Sequence, residues 1–151
     1  MNTLVVYFSK FGNTQKLAEA IAERLISNGN VRTISSDDLT INDMKDIDLV
    51  VMGSPTHNMN LPKSVKPVFE NLPKRTLPGI PVAAFDTSYK MSWWLNHFTA
   101  SKRLAKKLRK LGGKIVLPPE IFHVMEREGP LYEGEIERAQ DWVELILKQV
   151  D

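Results

Sequence analysis

Ser9-Lys10-Phe11-Gly12-Asn13-Thr14-Gln15 joins two segments of different periodicity. Before it, Leu4-Val5-Val6-Tyr7-Phe8 is a short continuous apolar run, the pattern of a buried strand. After it, Leu17, Ala18, Ile21, Ala22 and Leu25 recur at helical spacing. A polar loop with one glycine therefore links the C-terminal end of a strand to the N-terminal end of a helix. The first N–H groups of such a helix have no intrahelical partner, and they carry the positive end of its dipole. That junction suits an anion, a phosphate above all. Ser9, Asn13 and Thr14 add short polar side chains, and Gly12 lets the backbone come close to a ligand. The same residue types also serve an ordinary turn in which Asn13 or Thr14 merely caps the helix, so both readings stand. The loop is neither a Walker A sequence nor a GxGxxG turn.

The chain has 151 residues, enough for one domain with a core of its own, and the expectation is a single domain over residues 1–151. Hydrophobic residues make up 42% and charged residues 25%, a globular composition. The absence of cysteine excludes disulfides, thiolate metal sites, iron–sulfur clusters and a thiol nucleophile. His97 and His123 have no acids at ligand spacing, so no metal is expected. No leader or membrane span is visible, which points to the cytoplasm. The net charge of +2 decides little, but its distribution says more. Lys102, Arg103, Lys106, Lys107, Arg109, Lys110 and Lys114 crowd one segment, while acids dominate residues 37–48 and 126–144.

Beyond the first helix, Asn28-Gly29-Asn30 is a stop signal. Residues 31–34 read as a second strand and 35–48 as a polar connection with one helical turn. A buried strand over 47–52 ends at Gly53. The loop 54–62 follows, then a short helix over 64–72. Residues 82–85 form a fourth strand, and 86–95 a further loop carrying Tyr89, Trp93 and Trp94. A helix over 96–111 turns Leu104, Leu108 and Leu111 inward and its basic residues outward. A fifth strand starts at Lys114, is interrupted by Pro118-Pro119, and resumes over 121–124. Residues 126–134 are a loop, and 135–150 are the last helix. Strands and helices alternate, and the strands are apolar throughout. The pattern predicts an α/β fold, a doubly wound five-stranded parallel sheet with helices on both faces. Its three strand-end loops, 9–14, 54–62 and 86–95, then meet at one edge of the sheet, where such folds bind ligands.

With these motifs in view, the sequence resembles the flavodoxin family along essentially its whole length, in the short-chain form. The sheet is then expected in flavodoxin-like order. In the family, a Thr/Ser-x-Thr-Gly-Asn-Thr loop holds the phosphate of FMN. Ser9, Gly12, Asn13 and Thr14 match that loop, Phe11 replaces a hydroxyl residue, and Lys10 and Gln15 are expected as additional contacts. Gly53-Ser54-Pro55-Thr56 is similar to the flavodoxin domains fused to diiron oxidases. The resemblance implies that Pro55, Thr56, His57, Asn58, Met59 and Asn60 lie against the isoalloxazine ring. It implies that the third loop brings Thr87 and Tyr89 or Trp93 to the ring. That loop departs from the family in lacking glycine and in placing Lys90 where acidity is usual. If Lys90 points inward, the potential for the second electron should be less negative than in an acidic flavodoxin.

The resemblance thus implies an FMN-binding electron carrier with no catalytic side chain, because the flavin carries the redox chemistry. Two alternatives remain from the residues. One is an FMN-dependent reductase or oxidase of a small acceptor such as a quinone or protoporphyrinogen. The other is a flavin-free binding module on the same fold. A response-regulator receiver is disfavoured, because the first strand ends without an acidic pair and the third without an aspartate. His57 is either a flavin neighbour or a loop histidine bonded to backbone. The basic segment 102–114 is either a solvated helix face or a docking surface for an acidic redox partner. No motif accompanies it that suggests nucleic acid. A monomer and a homodimer are equally compatible with the sequence.

Overall fold

The computed structural model describes residues 1–56, 60–90 and 99–150. Six strands form one parallel sheet: β1 (Asn2–Tyr7), β2 (Asn30–Ser35), β3 (Leu49–Pro55), β4 (Pro81–Tyr89), β5 (Lys114–Ile115) and β6 (Glu120–Val124). Their order is β2-β1-β3-β4-β5, with β6 also pairing with β4. The chain leaves β1 for one edge and then crosses back to place β3 on its other side. The C-terminal ends of β1 and β3 therefore open a crevice between their diverging connections.

Alternation along each strand explains why the central strands are apolar at every position. Leu4 and Val6 of β1, Val50 and Met52 of β3, and Val82 and Ala84 of β4 enter the core on one face. Val5, Leu49, Val51, Ala83 and Phe85 enter the core on the other. The first face is covered by α2 (Val65–Glu70) and α3 (Ala100–Lys110), through Phe69, Leu104 and Leu108. The second is covered by α1 (Asn13–Leu25) and α4 (Glu135–Val150), through Leu17, Ile21, Trp142 and Ile146. The doubly wound architecture expected from the sequence is the one observed.

Two local expectations change, over 35–48 and 86–89, and one, the interruption of the fifth strand, is met. The connection 35–48 holds two 3₁₀ turns, Ser36–Asp38 and Ile41–Met44, rather than one turn. The second is fixed by Asp43, whose carboxylate accepts from the Thr40 N–H at 2.8 Å and its hydroxyl at 3.0 Å. The fifth strand is interrupted at Pro118-Pro119, as expected. Pro118 and Pro119 have no N–H to donate, so β5 pairs with the start of β4 and β6 with its end. That second pairing, Phe85 with Glu120 through Tyr89 with Val124, carries β4 to Tyr89. Residues 86–89 are therefore strand, not loop. No helix among the described residues is long and apolar enough to cross a membrane.

Candidate functional site

The loop after β1 is built around Gly12, which occupies the N-cap of α1 at φ +90°. The Ser9 hydroxyl accepts from the Gly12 N–H at 3.0 Å, and the Gly12 carbonyl takes the first helical bond, from the Lys16 N–H, at 3.0 Å. No side chain caps the helix. Asn13 and Thr14, the alternative caps, are engaged elsewhere. The Asn13 amide donates to the Glu128 carbonyl at 3.1 Å. The Thr14 hydroxyl meets that of Thr87 at 3.0 Å in a buried pair. The helix cap reading is thus excluded by geometry, and the N–H groups of the first turn of α1 have no capping side chain.

Beside this terminus lies a cavity of about 300 Å³. Ser9, Lys10, Phe11, Asn13 and Thr14 line it from the first loop, Pro55 and Thr56 from the end of β3, and Thr87, Ser88 and Tyr89 from the end of β4. Val124 and Arg127 complete the lining. Gly12 does not line it. Phe11 and Tyr89 are exposed aromatics, 37% and 46% accessible. Among the described residues, the lining contains two cationic side chains and no carboxylate.

The three strand ends are knitted together under the cavity. The Thr56 N–H donates to the Thr87 carbonyl at 2.9 Å, and the Thr56 hydroxyl accepts from the Ala100 N–H at 3.0 Å, at the start of α3. Asp86 sits one residue below Thr87 and is fully buried. Its carboxylate accepts from the Ser101 N–H at 2.7 Å. Burial pushes its pKa up to about 6, against the lowering effect of hydrogen bonds from Ser101 and Thr99.

Of the residues expected at the site, Ser9, Lys10, Phe11, Asn13, Thr14, Pro55, Thr56, Thr87 and Tyr89 share one cavity. His57, Asn58, Met59 and Trp93 lie outside the described residues. Asn60 does not line this cavity; it borders a separate groove between α2 and α3. Lys90 does not line it either, since its ammonium stands 4.2 Å from the centre of the Tyr132 ring. The inward orientation considered for Lys90 is therefore not the one observed. Sequence reasoning missed Ser88, Val124 and Arg127. Arg127 stands between two acids, Glu126 and Glu128, in a stretch whose net charge reads as negative.

A cavity with this lining suits FMN. Uncapped helical N–H groups, two cations and several hydroxyls suit a phosphate, and exposed aromatic and proline walls suit a planar ring. Comparison with known proteins points the same way. The family model for flavodoxin matches residues 5–145. A flavodoxin of Clostridium beijerinckii is 40% identical over 50 residues, 32% of this chain and 36% of that protein. A flavodoxin of Picosynechococcus is 26% identical over 118 residues, 77% of this chain and 69% of that protein. Among solved structures, flavodoxin 2 of Bacillus cereus has the same fold, with a TM-score of 0.83 at 20% identity over 98% of this chain and 99% of that one. So does part of the rubredoxin oxygen:oxidoreductase of Desulfovibrio gigas, with a TM-score of 0.76 at 19% identity over 99% of this chain and 36% of that one. With the matched family model running from β1 into α4, the chain belongs to the flavodoxin family, the electron-transfer proteins that carry FMN.

Proposed function

We propose that this chain is a single-domain carrier that shuttles electrons between protein partners, with FMN held in the cavity at the C-terminal ends of β1, β3 and β4. The observation that carries the reading is the uncapped N-terminus of α1 beside a cavity that no carboxylate lines among the described residues. Ser9, Lys10, Gly12, Asn13 and Thr14 would hold the phosphate, with Phe11 at the rim. Pro55, Thr56, Thr87 and Tyr89 would flank the ring and keep water from it. His57, Asn58, Met59, Asn60 and Trp93 belong to the proposal through the family resemblance alone. FMN, when bound, supplies the one- and two-electron chemistry, and the chain's own residues hold, orient and shield it.

The partner proposed is an acidic redox protein docking on α3, in the cytoplasm. Arg103, Lys106, Arg109 and Lys110 are exposed on that helix. Its first N–H is held by Thr56 of the cavity wall, so the basic surface begins beside the site. Electron transfer from the reduced protein to an acidic acceptor protein should slow steeply as salt rises, and also in Lys106→Glu/Lys110→Glu. A rate indifferent to both would remove α3 as the docking surface. Sustained turnover of NAD(P)H with a quinone by the protein alone would instead make it a reductase.

A further inference from the structure

We infer that Arg127, from the loop between β6 and α4, is the phosphate-discriminating cation of the cofactor site. The inference rests on the FMN reading above and adds a residue from a part of the chain outside the three strand-end loops.

The loop is folded against the first turn of α1. The Gly129 N–H donates to the Glu126 carbonyl at 2.9 Å, and the Met125 N–H to the Pro130 carbonyl at 2.9 Å. The Glu128 carbonyl accepts the Asn13 amide at 3.1 Å. Gly129 adopts φ +103°, and a Cβ there would lie 2.7 Å from the Asn13 Oδ1. Backbone and helix terminus are therefore in contact at a place where no side chain fits. The loop that carries Arg127 is thereby held against the first turn of α1.

Arg127 lines the cavity together with Ser9, Asn13 and Thr14. It is exposed, and it makes no ion pair among the described residues, although Glu126 and Glu128 flank it in sequence. Its guanidinium is thus free to meet a ligand. A helix N-terminus contributes only about half a positive charge, whereas a phosphate monoester carries between one and two negative charges near neutral pH. Lys10 lies on the first loop, and Lys90 is occupied over Tyr132. Arg127 is the second cation of the lining, and a planar guanidinium can take two phosphate oxygens at once. The same loop that bonds Asn13 thereby adds a cation to the wall that Ser9, Asn13 and Thr14 also line.

The test is a fluorescence titration of the flavin-free protein with FMN and, separately, with riboflavin. Arg127→Gln should weaken FMN about tenfold, leave riboflavin affinity unchanged, and flatten the salt dependence of FMN binding. Arg127→Lys should recover part of the loss. An exposed site makes unfolding of these variants unexpected, and an unchanged melting temperature checks it. Equal loss of FMN and riboflavin would overturn the phosphate assignment, as would an Arg127→Gln protein that matches the wild type. If the wild type binds neither flavin, the FMN reading itself fails.

Discussion

Replacing Gly53 by alanine is expected to lower stability by about 3 kcal/mol, or roughly 10 °C in melting temperature for a chain of this size. Gly53 follows Leu49 and Val51 on the face of β3 that packs against α1 and α4. Where its side chain would stand, the Phe85 ring already lies, with Cζ 2.1 Å from an added Cβ. That ring cannot swing aside cheaply. It packs edge-on against Phe122 at 5.9 Å and Trp142 at 6.1 Å, and those two rings meet each other at 6.0 Å. Interiors are close-packed, so a single methyl has to displace the whole trio or the backbone of β3. The Gly53 carbonyl also accepts the Phe8 N–H at 2.9 Å, immediately before the phosphate loop. Movement of β3 should therefore weaken FMN binding as well. Thermal unfolding of Gly53→Ala measures the loss, and adding Phe85→Leu should recover part of it. A change within about 0.5 kcal/mol would show that the ring has room the packing denies it.

Asp86→Asn is expected to stabilise the protein above pH 6 and to remove a pH dependence below it. The buried carboxyl holds its proton up to about pH 6, well above its ordinary range in an unfolded chain. Between roughly pH 4 and pH 6 the folded state therefore binds more protons than the unfolded state, and stability attributable to Asp86 falls as pH rises through that window. Above it the ionised group is carried at a constant cost. Asparagine has the same shape, keeps an oxygen for the Ser101 N–H, and has no charge to desolvate. Loss of the favourable charge at the start of α3 offsets part of the gain, leaving about 1–2 kcal/mol at pH 7 to 8. Asp43, whose pKa is lowered by hydrogen bonds from Thr40 and Arg32, contributes a slope of the opposite sign at lower pH. That slope is common to both proteins and cancels in the difference. Denaturant unfolding from pH 4 to 8 tests this, and a variant less stable than wild type at pH 7 would refute it. Asp86→Ala should be destabilising at every pH, because it also leaves the Ser101 N–H unpaired.

The fold was legible because a parallel sheet covered on both faces imposes apolar runs that few other folds need. Leu49-Val50-Val51-Met52 supplies both cores in alternation, and the sequence shows it directly. The first loop was legible because its chemistry is local: a strand end, a glycine and a helix start within a few residues. What the sequence hid is nonlocal. Asp86, Thr87 and Ser88 are polar and read as loop, yet all are buried strand residues, held by β6, Thr14 and Ser101. The loop that carries Arg127 is tied to the first turn of α1 by the Asn13 amide and the Glu128 carbonyl, a contact spanning 115 residues. The orientation of Lys90 was set by Tyr132, more than forty residues away in the chain.

The most direct test of the account is the visible absorption spectrum of the protein purified without added flavin, followed by mass identification of whatever cofactor acid releases. The account predicts a yellow protein with flavin bands that releases FMN, one per chain. A colourless protein that also fails to take up added FMN would contradict it, because the uncapped helix terminus and its two cations would then serve some other anion.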